Sequence, residues 1–178
     1  EYTDPYAFAN VTKPEDYKAF LAGEEKNAAH IFGAHERTVN GVKGVLFNVW
    51  APKALSVSVV GEFNKYDGRV HLMERIEDTG VFELFIPGLA AGCGYMYEIK
   101  RQGKGTTRKL DPVSRQISSV PITASVVSDE NMPDSYAWND GLWMIKRKKE
   151  AGKKKPVTVY EVSLTDWLKE KSADELVD

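Results

Sequence analysis

Two different periods run along this chain. From residue 44 to residue 128 apolar and polar positions alternate in twos, in short segments rich in Val, Phe, Ile and Tyr. In GVLFNVWAP, Val45, Phe47 and Val49 alternate with Leu46, Asn48 and Trp50, and SVSVVG at 56–61 does the same. VHLMERI, VFELFIP, YMYEIK and TASVVS follow, separated by Gly, Asn, Asp or Pro signals of the kind that close a strand. About six or seven short strands over ~100 residues, with no helix between them, predict a mainly β chain folded as an antiparallel β-sandwich. Ahead of the strands the period is helical. Tyr17, Phe20 and Leu21 stand at i, i+3 and i+4 behind Pro14, and Gly33 sits where a helix should stop, so the pattern predicts a helix over 14–31.

A third pattern begins near Trp138. Asn139 or Asp140 can cap a short amphipathic helix carrying Leu142, Trp143 and Ile145, and a lysine-rich run then leads to Pro156. No aromatic rings interleave with those lysines, which reads as a solvated helix end and linker rather than a nucleic-acid patch. VTVYEVSL, at 157–164, is an almost unbroken β-forming run of the kind that a parallel sheet buries on both faces. The predicted divisions are therefore a helical arm at 1–40, a sandwich at 41–130, a helical linker at 131–156 and the start of a second domain at 157–178.

Composition removes several classes of function. The 178 residues carry 24 Lys and Arg against 26 Asp and Glu, a formal charge of −2, so neither nucleic acid nor an anionic membrane is an expected partner. The single cysteine, Cys93, cannot close an internal disulfide, and no signal-like apolar segment stands near Glu1, so a cytosolic location is expected. His30, His35 and His71 are scattered without metal-ligand spacing, and no pair of carboxylates is marked out as a glycosidase acid and nucleophile. No metal or cofactor is expected. The glycines of GVKG and GCG lack the spacing of a phosphate loop and read as turn glycines.

One stretch carries chemistry. GEFNKYDGR, at 61–69, places Asn64 and a lone aromatic, Tyr66, in a turn between two strands. An exposed ring there can stack on the apolar face of a sugar while an amide bonds to its hydroxyls. The same residues also suit a plain hairpin loop, with Asn64, Asp67 and Gly68 as turn formers and Tyr66 folded back over the sheet. Both readings fit the residues.

The run from GVLFNVWAPKALSVSVVGEFNKYDGR through VFELFIPGLAAGCGYMYEIK, with KLDPVSRQ, TASVVSD and YEVSLTDW after it, resembles the N-terminal region of bacterial 1,4-α-glucan (glycogen) branching enzymes. FGAHE and the segment before it resemble the lead-in of that family. The resemblance implies a family 48 carbohydrate-binding module with an immunoglobulin-like fold, followed at 157–178 by the first strand of a family 13 (β/α)8 barrel. It implies a cytoplasmic, non-catalytic portion whose partners are α-glucan and its own missing catalytic barrel, because the family's catalytic carboxylates lie on later barrel strands. A free-standing glucan-binding module, or the N-terminal part of a debranching enzyme, is the alternative. By the same resemblance the carbohydrate-binding positions are Asn64, Tyr66 and Met96. Tyr66 stands where the family usually has Trp and Met96 where it has Lys, while the hairpin RQGKGTTRK lacks the family's second Trp. Ser163 and Thr165-Asp166 replace the His and Gly-Ser usual in YEVHLGSW.

Overall fold

The computed structural model describes residues 3–8, 11–119, 122–129 and 138–152, with the single positions 156, 158, 159, 161, 163 and 166. It divides into two compact units, Glu1–Pro133 and Asp134–Asp178.

The first unit contains nine strands among the described residues: β1 (Gly33–Val39), β2 (Val42–Trp50), β3 (Ser56–Gly61), β4 (Glu74–Ile76), β5 (Val81–Pro87), β6 (Gly94–Arg101), β7 (Gly105–Lys109), β8 (Gln116–Ser118) and β9 (Ala124–Val126). One sheet has the order β1-β2-β5-β4; the other runs β3-β6-β9-β8, with β7 also paired to β6. Every named strand pair is antiparallel. Period two fixes what lies between the sheets. Val45, Phe47 and Val49 of β2 pair with Ile86, Leu84 and Phe82 of β5, and this face packs on Val57, Val59, Tyr95 and Tyr97 of the second sheet. Each such side chain, fully buried, contributes ~1.5–3 kcal/mol relative to exposure. The sandwich expected from the alternation is present.

The other face of the first sheet is covered too, which is why β2 is buried from Gly44 to Val49. Leu46 and Phe85 pack against Phe8, whose ring centroid lies 5.0 Å from that of Phe85. The polar positions of the same face are also met by the arm. Asn48 Nδ2 donates to the Tyr17 hydroxyl at 2.5 Å, and buried Glu83 accepts from the backbone N–H groups of Val11 (2.9 Å) and Thr12 (3.2 Å) and from the Thr12 hydroxyl. Burial pushes the Tyr17 phenol up to about 12.

This arm differs from the helix predicted over 14–31. It is a chain of turns: 3-10 turns at Pro5–Phe8, Pro14–Tyr17 and Ala28–His30, and a single α-turn, α1 (Lys18–Leu21). The helix stops at Gly23, not Gly33. Gly23 has φ +75°, its N–H donates to Phe20 O, and the Glu24 N–H donates to Ala19 O, which together make a Schellman ending. Gly33 instead opens β1. This strand is not expected from the sequence pattern, which assigns its residues to the helical arm; it pairs with β2 along its whole length through a tight Asn40-Gly41 turn with φ +50° and +81°. The sheet therefore begins at Gly33, and residue 40 lies at the tip of its first hairpin.

In the second unit the cap position of α2 (Gly141–Glu150) falls to Asp140 rather than Asn139. The Asp140 side chain forms no cap bond; its carbonyl accepts the Met144 N–H at 2.9 Å and opens the helical ladder through the backbone. Arg147, Lys148 and Lys149 occupy the last turn, where cations suit the helix dipole. The barrel strand expected at 157–178 lies outside the described residues apart from isolated positions.

Candidate carbohydrate-binding groove

The turn singled out in the sequence joins β3 to β4 and folds back on the outer face of the second sheet. Its anchor is Asn64, which is only 8% exposed. The Asn64 Oδ1 accepts from the Gly61 N–H at 3.0 Å, and its Nδ2 donates to Val59 O and to His71 Nδ1, each at 2.9 Å. The amide is thereby committed to the turn, and the sugar-bonding role expected for Asn64 has no side-chain donor left to serve it. Accepting at Nδ1 places the His71 proton on Nε2, and burial pushes the His71 pKa down.

Beyond Asn64 the chain turns through two successive left-handed residues, Lys65 at φ +53° and Tyr66 at φ +58°. The Tyr66 N–H donates to Gly61 O at 2.8 Å. Asp67 then accepts from the Arg69 side chain at 2.7 Å and from its backbone N–H at 2.9 Å, which holds this exposed carboxyl down at about 2. Gly68 passes so close to β6 that a Cβ there would lie 2.0 Å from Glu98 Oε1.

Tyr66 itself is half-buried and lines a groove of about 220 Å³ with Glu62, Gly92, Gly94, Ser118, Ile122, Ala124 and Val126. The groove is smaller than the ~300–1,000 Å³ pockets that enclose drug-sized ligands. Its composition suits a sugar face: a phenol ring and Ile122 supply apolar contact, Gly94 and Ala124 leave room, and Glu62 and Ser118 supply polar groups. Met96, the third expected position, is half-buried on β6 opposite Val60 and is not among the groove's lining residues. Of the three positions expected from the sequence, the structure brings Tyr66 alone to the groove wall.

Of the lining residues missed in the sequence, Glu62 follows β3 and Gly92 and Gly94 stand at the entry to β6, while Ser118, Ile122, Ala124 and Val126 come from β8, β9 and the segment between them. Ser118 pairs with Ala124, and Gln116 with Val126, so Ser118, Ala124 and Val126 share one face by period two. Buried Asp111 ties β6 to β9 within the second sheet. It accepts from the Tyr95 hydroxyl at 2.6 Å and the Val113 N–H at 2.9 Å, and its own N–H donates to Ser125 Oγ at 2.9 Å. Burial pushes the Asp111 pKa up. Larger hollows of about 450 and 430 Å³ border α2, and among the described residues their lining comes from that helix and its end. Among the described residues no three His, Cys, Asp or Glu side chains are placed to hold a metal, and no helix is long and apolar enough to cross a membrane.

Residues 31–114 match the family profile of carbohydrate-binding module 48, the isoamylase N-terminal domain. The matched stretch takes in the greater part of the sandwich, so the class of protein that the sandwich is similar to is the carbohydrate-binding modules of family 48. More particularly, the chain is similar to the N-terminal region of 1,4-alpha-glucan branching enzymes. It is 45% identical over 166 residues to the 1,4-alpha-glucan branching enzyme GlgB of Thermosynechococcus vestitus, covering 93% of this chain and 21% of that protein. With the enzyme of the same name from Synechococcus sp. (strain JA-2-3B'a(2-13)) it shares 40% identity over 178 residues, 98% of this chain and 23% of that one. The chain therefore spans 21% to 23% of the length of these curated relatives. Among solved structures, PulA from Klebsiella oxytoca aligns with a TM-score of 0.45 and 26% identity over 65% of this chain and 12% of its own.

Proposed function

We propose that this chain is the non-catalytic N-terminal part of a cytoplasmic 1,4-α-glucan branching enzyme, which packs on the catalytic barrel and holds α-glucan weakly at the Tyr66 groove. The observation that carries the binding role is a half-buried phenol ring at the wall of a small groove on a family 48 sandwich. Weakness follows from the same geometry. One ring and a few hydrogen bonds at an open groove, set against the cost of association, support a Kd no tighter than ~1 mM. The commitment of Asn64 to its own turn and the absence of Met96 from the groove favour a footprint of this size.

Titration of the chain with maltoheptaose, followed by NMR, tests the reading. Shifts are expected at Tyr66, Ser118, Ile122 and Ala124, and Tyr66→Ala should abolish them. Shifts confined to other surfaces, or an unchanged affinity in the Tyr66→Ala chain, refute it.

A further inference from the structure

The loop that presents Tyr66 is held from outside, by a residue on another hairpin. Two consecutive left-handed residues that are not glycine are disfavoured, and a bulky aromatic there is unusual. Lys65 and Tyr66 nevertheless adopt φ +53° and +58°. From β7, 42 residues further along the chain, Arg108 Nη2 donates to Tyr66 O at 2.9 Å. The Nε of the same guanidinium donates to Glu98 Oε2 at 3.0 Å, and its Cζ lies 5.8 Å from the centre of the Tyr66 ring. Glu98 sits across from Arg108 in the β6–β7 register, and it is the carboxylate against which Gly68 passes. The two ends of the strained turn therefore meet one Glu98–Arg108 pair.

We propose that Arg108 is the positioning residue of the glucan groove: it holds Tyr66 in the left-handed conformation that presents the ring, and leaves one ring face for a sugar to stack on. The inference rests on the reading of Tyr66 as the sugar platform. A planar fork suits this task, because one guanidinium can bond a carboxylate, bond a carbonyl and lie over a ring at once. Arg108 is itself partly exposed, so its loss opens no hole in the core.

The test uses the 178-residue chain and maltoheptaose titration, with thermal melting as a check on folding. Arg108→Ala should weaken binding about fivefold to tenfold. Adding Lys65→Gly to that variant should recover much of the loss, because glycine enters the left-handed region without a Cβ penalty. A purely electrostatic attraction between Arg108 and sugar predicts no such recovery. Arg108→Gln reads the same comparison if the alanine variant melts early. Binding unchanged or tightened by Arg108→Ala or Arg108→Gln, while Tyr66→Ala abolishes it, overturns the positioning role alone; so does a double variant no better than Arg108→Ala. Binding that survives Tyr66→Ala overturns the platform reading, and the inference with it.

Discussion

Replacing Asn64 with alanine separates an anchor from a sugar ligand. The side chain accepts one backbone bond, from Gly61, and donates two, to Val59 O and His71 Nδ1, all within 3.0 Å and out of reach of solvent. Truncation strands those three partners in a buried turn. At roughly 1 kcal/mol for each buried bond lost without replacement, the variant should be destabilised by about 3 kcal/mol. For a domain of this size that lowers Tm by about 10 °C. Circular dichroism melts of the two chains under one condition measure the shift. Asn64→Asp should lie between them, since a carboxylate can still accept from Gly61 but can donate to neither Val59 nor His71. An Asn64→Ala chain that melts within about 2 °C of the parent yet loses maltoheptaose binding would refute the anchor assignment.

Other perturbations probe the scaffold. Gly44→Ala should prevent or severely impair folding, visible as loss of the cooperative melt, because its Cβ would lie 2.4 Å from Ile86 O and 2.8 Å from Pro87 Cα, both backbone atoms. Tyr17→Phe removes the hydroxyl that accepts from Asn48 and bonds Thr12, leaving the Asn48 amide with neither end satisfied, and should cost about 1–3 kcal/mol in denaturant unfolding. Hydrogen exchange at residues 11–17 should quicken in that variant. His71 sets a pH dependence. Its folded pKa is lowered by burial, so below 6.5 the unfolded chain binds a proton that the folded chain refuses; its contribution is full above 6.5 and is lost as pH falls through the lowered value. His71→Gln should flatten that part of a Tm against pH curve.

The inner face of the sandwich is legible in the sequence because period two needs no knowledge of the partner: Val45, Phe47 and Val49 announce a buried face wherever the opposing sheet comes from. The outer face of the same strand is not legible. Asn48 and Glu83 read as solvent positions, and only the arm, more than 30 residues away in sequence, makes them interior by bringing Tyr17 and Thr12 over them. The arm misleads for a local reason. Tyr17, Phe20 and Leu21 satisfy one helical turn, and their spacing alone carries the pattern past Gly23, where the Schellman bonds end it. Asn40-Gly41, a strong hairpin signal, is what sets the start of the sheet back at Gly33.

At the candidate site the residue types are visible in the sequence and their division of labour is not. Asn64 and Tyr66 are two positions apart, which in a turn does not put them on one face. The amide is drawn inward because the end of β3 and the His71 ring need its bonds, and those partners lie on both sides of it in sequence. Once Asn64 is fixed inward, the next residues must leave through left-handed space, and that exit carries Tyr66 to the groove wall. The pair that reads as two sugar contacts is therefore an anchor and the platform it carries. Affinity for glucan should then follow the stability of the turn, and substitutions at Asn64 and Arg108 should weaken binding without either side chain touching the sugar.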